Sequence, residues 1–114
     1  NSVIRDCSYG IMQLFGTKEV VFENCDFIRN KEYTMVEVDS NCRDVLFSEC
    51  RFAQNKGVLF DLRAQIRMEN CLIHHPDADK LGNLDAHLAN KATTKVVITD
   101  LPVGKKPHVG VDSK

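Results

Sequence analysis

The chain has 114 residues, 43% of them hydrophobic, which suffices for one domain with a continuous core and is too short for two. The 15 Lys and Arg nearly balance the 16 Asp and Glu, so no basic excess points to nucleic acid or an anionic membrane surface. Apolar runs of a few residues exclude a membrane-crossing helix, and Asn1-Ser-Val3 has neither an initiator Met nor a signal segment, so Asn1 is not read as the native start.

The organising feature is an internal repeat. Val20-Val-Phe-Glu-Asn-Cys-Asp-Phe27 returns as Val45-Leu-Phe-Ser-Glu-Cys-Arg-Phe52 and as Ile66-Arg-Met-Glu-Asn-Cys-Leu-Ile73, which stacks Cys25, Cys50 and Cys71 in one column. At the start of the chain, Asn1-Ser-Val-Ile4 fits Asn24-Cys-Asp-Phe27 and puts Ser2 in that column. Cys7 would lie only 18 residues before Cys25, and that register is rejected. Each repeat is preceded by an apolar pair on alternate residues: Met12 and Leu14, Val36 and Val38, Phe60 and Leu62, and less clearly Ala86 and Leu88. Period-two spacing marks strands with one buried face. A coil therefore reads as three short strands: the alternating pair, then V-x-F, then C-x-F.

Residues 77–92 admit two readings. Asp77 caps a short helix with Leu81, Leu84 and Leu88 on one face, or Leu84 to Leu88 form the first strand of another coil; the coil pattern favours the strand. Val96-Val-Ile98 then repeats V-x-F, with Asp100 at the turn and Leu101 in the Cys column. Residues 1–103 are expected to form the domain, and 104–114 a flexible C-terminal tail.

Such coils suit an all-β, right-handed parallel β-helix of four to five coils, each strand pairing with its counterpart about 4.8 Å away. Leucine-rich repeats share the period, but their Leu-x-x-Leu-x-Leu signature is absent. Between the second and third strands stand Asn1, Asn24 and Asn70, with Glu49 and Asp100 at the matching place. Asn tolerates the left-handed backbone of a tight bend. On these residues the chain resembles the pectate-lyase-like right-handed β-helix superfamily, whose members often carry an asparagine ladder at this turn. More narrowly, Asp6-Cys-Ser-Tyr-Gly-Ile-Met12, the Asn-Cys-x-Phe coils, Asn55-Lys-Gly-x-Leu-Phe-Asp61 and Ile73-His-His-Pro76 look like uncharacterised bacterial envelope proteins with a right-handed β-helix region. The resemblance covers about residues 1–76 and implies an extracellular or cell-envelope location. It also implies a polysaccharide partner lying across the outer face of the first strand.

That face has three rows: Ile11, Met35, Leu59 and Asp85; Gln13, Glu37, Asp61 and His87; Phe15, Asp39, Arg63 and Ala89. Gln13, Glu37, Asp39, Asp61, Arg63 and His87 are the candidate ligand-binding residues. Glu37 and Asp61 would be neighbours at about 5 Å. Two such carboxylates serve acid catalysis, hold Ca²⁺ with further oxygens, or simply make a solvated face relieved by Arg63. A lyase or glycosidase using Glu37, Asp61 and Arg63 is the alternative to a non-enzymatic binding scaffold. A structural or protein-interaction solenoid, using the outward stripe Val21, Leu46 and Val97 interrupted by Arg67, is the third reading.

No CxxC or HxxxH pair occurs, and neither a metal nor a cofactor is expected. Cys25, Cys50 and Cys71 read as small buried hydrophobes, Cys7 and Cys42 as turn residues, and His74 and His75 as turn histidines beside Pro76. The start in mid-coil reads as the C-terminal part of a longer solenoid. Its open N-terminal end predicts end-to-end homo-oligomers.

Overall fold

A computed structural model describes residues 2–89 and 94–98. The chain winds as a parallel β-solenoid. A partial coil of β1 (Ser2–Arg5) and β2 (Ser8–Tyr9) is followed by β3 (Met12–Leu14), β4 (Lys18–Glu23) and β5 (Asp26–Ile28). Next come β6 (Val36–Val38), β7 (Arg43–Ser48) and β8 (Arg51–Ala53), and then β9 (Phe60–Leu62), β10 (Arg67–Glu69) and β11 (Leu72–His74). A 3₁₀ turn (Ala78–Leu81), the one-turn helix α1 (Leu84–His87) and β12 (Lys95–Val97) make the last coil. First strands stack as β3-β6-β9, second strands as β1-β4-β7-β10, and third strands as β2-β5-β8-β11-β12, every pairing parallel. Three full coils with partial coils at both ends follow from that stacking.

The pattern of inward residues explains why the coils close. Val20, Val45 and Ile66 stack, as do Phe22, Phe47 and Met68, then Phe27, Phe52 and Ile73, and all of them are buried. The rings interlock: Phe27 stacks on Phe52 with centroids 4.6 Å apart, and Phe22 on Phe47 at 5.1 Å. Aromatic pairs of this kind add about 0.5–1.5 kcal/mol beyond their buried area.

The bend between second and third strands is made by a single left-handed residue, repeated at Asp6 (φ 56), Asn24 (φ 55), Glu49 (φ 53) and Asn70 (φ 55). Asn24 Nδ2 donates to Asp6 Oδ1 at 2.7 Å. Glu49 keeps the backbone geometry without the asparagine side chain. The cysteine after each bend turns inward, and its thiol donates to a carbonyl of the previous coil: Cys25 to Ile4 O, Cys50 to Phe22 O, Cys71 to Phe47 O. A small side chain with one weak donor fits this tight corner. Burial pushes the Cys25 thiol pKa up. The neighbouring Cys71 thiol and burial push the Cys50 pKa up as well.

Several expectations are corrected. Ser2 pairs with Val20, and Asp26 N donates to Cys7 O, so Cys7 and not Ser2 occupies the cysteine column, with Asp6 rather than Asn1 at the bend. The short spacing arises because only residues 10–11 join β2 to β3, whereas residues 29–35 join β5 to β6. Met35 and Leu59, expected outward, are fully buried; both precede their strands at the corner, where the chain turns into the core.

The last coil also departs from the expected register. Gly82 bridges Phe60 and Leu88 bridges Ile66, so Leu88 belongs to the second-strand column and Leu84–His87 is helical. Asp77 caps the preceding turn through Asp79 N, as the helix reading required. Gly82 (φ +81) is needed there, since a Cβ would come 1.9 Å from Phe60 O. Residues 95–97 pair with β11, making Val96-Val97 a third strand and removing Val97 from the second-strand stripe. The expectations for Asp100, Leu101 and the tail 104–114 fall outside the described residues.

Candidate functional site

The outer face of β3-β6-β9 is built by strict alternation. Met12 and Leu14, Val36 and Val38, Phe60 and Leu62 point into the core, which forces Gln13, Glu37 and Asp61 outward. The register makes these three direct neighbours, as expected. Gln13 Nε2 donates to Glu37 Oε1 at 2.8 Å, which fixes one carboxylate oxygen of the row. Among the described residues the Asp61 carboxylate and the Arg63 guanidinium carry no intramolecular hydrogen bond or ion pair, so both remain available to a ligand.

Beyond this row the chain turns, and Asp39 has a different task. Its Oδ1 accepts from Gly16 N at 3.1 Å, Asn41 N at 3.0 Å and Cys42 Sγ at 3.3 Å, tying two successive coils together at the corner. The Gly16 N–H, with the further donors, holds the Asp39 pKa below the ordinary carboxylate value. A carboxyl with a depressed folded-state pKa contributes stability that is complete above its unfolded value of about 4 and lost as pH falls through the lower folded value. Replacing it with Asn is therefore expected to flatten the acid limb below about pH 4, readable as unfolding midpoints against pH. Asp39 thus serves the corner rather than offering a free ligand group.

Arg63 follows β9, with its N–H donating to Val38 O at 2.9 Å, and stands in the row of Asp39 and Phe15. Phe15, Glu37, Val38, Asp39, Asp61 and Arg63 surround an open hollow of about 240 Å³. The Phe15 ring is 67% exposed. Phe15 was in the expected rows but not among the expected binding residues; its period-two position after Leu14 was the available signal. His87 does not join the site: it lies on α1, where its backbone carbonyl accepts from Ile66 N and its Nδ1 stands 3.4 Å from Asn83 O. Asp85, on the same helix, is likewise displaced from its expected row.

A second network lies beside the third strands. Asn30 N donates to Asn55 Oδ1 (2.9 Å), Asn55 Nδ2 to Phe27 O (3.0 Å), and Asn30 Nδ2 to Gly10 O (2.8 Å). His75 is buried; its Nδ1 accepts from Asp77 N, so Nε2 carries the proton and donates to Gly57 O at 3.1 Å. These groups satisfy the backbone of the corner loops and hold His75 in a structural position. Among the described residues no group of three or more His, Cys, Asp or Glu is arranged to hold a metal ion.

The coils stack in parallel, with one-residue bends and an inward cysteine column. The family model described as right handed beta helix region matches residues 1–93. The chain belongs to that right-handed β-helix family. No curated protein and no solved structure matches it. Family membership accounts for the coil architecture, while the chemistry of this right-handed β-helix rests on its own outward residues.

Proposed function

We propose that the chain is a non-enzymatic β-helix scaffold that binds carbohydrate on the outer face of β3-β6-β9, as part of a bacterial surface or secreted protein. The observation carrying this reading is the exposed Phe15 ring beside the Gln13, Glu37 and Asp61 row. A sugar presents an apolar C–H face and a rim of hydroxyls; an aromatic ring receives the first, and carboxylate and amide groups the second. Arg63 offers one cation for carboxylate-bearing sugars. The open hollow of about 240 Å³ suits a polymer laid across the face more than a ligand enclosed on all sides.

Calorimetry with a uronate-rich and a neutral polysaccharide tests the proposal. Binding without turnover is expected, weakened about tenfold or more by Phe15→Ala and by Asp61→Asn, with unfolding midpoints close to that of the parent chain. Unchanged affinity in both variants overturns the reading. Release of unsaturated or reducing ends would transfer Glu37 and Asp61 to a lyase or hydrolase mechanism instead. The scaffold reading also has copies meeting end to end through β1, β2 and β3, which are the outer strands of their sheets. Sedimentation that stays monomeric at high concentration would remove that part.

A further inference from the structure

Near the start of the second strands, β4 and β7 each carry one left-handed residue, Glu19 (φ 57) and Asp44 (φ 56). In a regular strand successive side chains alternate between faces. The left-handed residue interrupts that alternation, so Arg43 and Asp44 are both exposed between the buried Cys42 and Val45. Coil stacking adds Arg67, whose register partner Leu46 lies three residues after Arg43. Arg43, Asp44, Gln65 and Arg67 surround a hollow of about 310 Å³ in the middle of the coil stack, with Cys42 in its wall.

Charge balance sets this place apart from the rest of the sheet. At the far end of the same strands Arg5 meets its register partner Glu23 at 2.6 Å. At the near end Arg43 has Lys18 as its register partner, and like charges opposite one another destabilise a sheet. Among the described residues, the side chains of Lys18, Arg43 and Arg67 make no ion pair or hydrogen bond. Lys18 and Glu19 repeat the basic-acidic order of Arg43 and Asp44 one coil earlier, so the surplus positive charge at the hollow comes from Arg67.

We propose that this hollow binds a phosphate monoester carried on a small hydroxylated molecule, a sugar phosphate. The two guanidiniums present forked donors that match phosphate oxygens, and a phosphate monoester brings about −1.5 to −2 charge at neutral pH to a site with excess positive charge. Asp44 only accepts hydrogen bonds, so it selects a ligand that donates there: a sugar hydroxyl or the proton that a phosphate monoester still carries in part. A sulfate ester has less charge and no such proton. Gln65 both donates and accepts, which suits a neighbouring hydroxyl. A volume of about 310 Å³ lies at the small end of the range for small-molecule sites. The site is separate from the Phe15 face. Asp39 lines the hollow there and Cys42 lines this one, and the 3.3 Å bond from Cys42 Sγ to Asp39 Oδ1 forms the corner between them.

Calorimetry of the folded 114-residue chain with glucose 6-phosphate, glucose 6-sulfate and glucose tests the site. Glucose 6-phosphate is expected to bind about tenfold or more tightly than either of the others. Arg43→Gln and Arg67→Gln should each weaken it about tenfold, and Arg67→Lys, which keeps the charge but loses the fork, should restore only part of that. Asp44→Asn keeps a residue that tolerates the left-handed backbone and is expected to narrow the preference for phosphate over sulfate. Phe15→Ala should leave the affinity unchanged, which separates this site from the carbohydrate face. No binding of glucose 6-phosphate, equal affinity for the sulfate ester, or unchanged affinity in the arginine variants overturns the proposal. Loss of binding in Phe15→Ala does so too, by moving the ligand to the other hollow.

Discussion

Asp26→Asn is expected to lower the free energy of unfolding by about 3–5 kcal/mol, because it strips the counter-charge from a guanidinium that water does not reach. Arg51 is 0% exposed and its Nη2 lies 3.2 Å from Asp26 Oδ2, itself on a residue only 5% exposed. Among the described residues its Nε and Nη1 have no hydrogen-bond partner, so the Asp26 carboxylate carries most of what compensates the buried charge. The two residues are register neighbours on β5 and β8, and Leu72 follows on β11 in the same row. An apolar replacement of both, Asp26→Leu with Arg51→Met, extends the Leu72 row and is expected to recover most of the loss, since removing a whole buried pair is often close to neutral. Urea unfolding followed by circular dichroism measures both variants. A loss below about 1 kcal/mol in Asp26→Asn would mean that Arg51 finds solvent or another acceptor when its partner is neutral.

The coil grammar was open to reading wherever two periodicities coincided. Alternation at Val36-Glu-Val38 and Phe60-Asp-Leu62 identified first strands, and the repeated x-Phe-x-x-Cys-x-Phe pattern identified the other two, so the three full coils followed. Register failed at both ends for local reasons. At the start, a corner of two residues where later corners have six or more made the Cys7 to Cys25 spacing look too short for a coil. At the end, Asn83 replaces part of a strand with its side chain: Leu62 N donates to Asn83 Oδ1 at 2.8 Å, and Asn83 Nδ2 donates to Leu62 O at 2.7 Å. An amide mimics the peptide group in that exchange, so no apolar alternation is required, and the helix of Leu84–His87 takes up the residues that alternation would have used.

The candidate site divides in the same way. Gln13, Glu37, Asp61 and Arg63 follow from strand alternation and coil stacking, which are properties of sequence. Removal of His87 from the row depends on the Asn83 substitution for strand backbone and is a property of tertiary structure. The burial of Arg51 runs against the general preference of charged residues for solvent. Its trace in the sequence is the opposite charge of Asp26 at the same place one coil earlier.

Phe52→Ala is expected to cost about 3–5 kcal/mol, a large part of the roughly 5–15 kcal/mol that holds a domain folded. The ring stacks on Phe27 at 4.6 Å and 9°, meets Phe47 at 6.1 Å, and reaches Phe60 of the next coil at 5.1 Å. In a solenoid each coil is stabilised mainly by its neighbours, so a cavity at this place weakens two interfaces together and should lower unfolding cooperativity as well as the midpoint. Phe52→Leu keeps most of the volume and is expected to cost appreciably less, since the loss scales with the space left empty. Phe15→Ala supplies the contrast: its ring is 67% exposed, so its removal should change stability by no more than about 0.5 kcal/mol. Denaturant unfolding of the three variants reads the comparison. Equal losses at Phe52 and Phe15 would contradict the division of the aromatic residues into a stacked interior and an outward binding face.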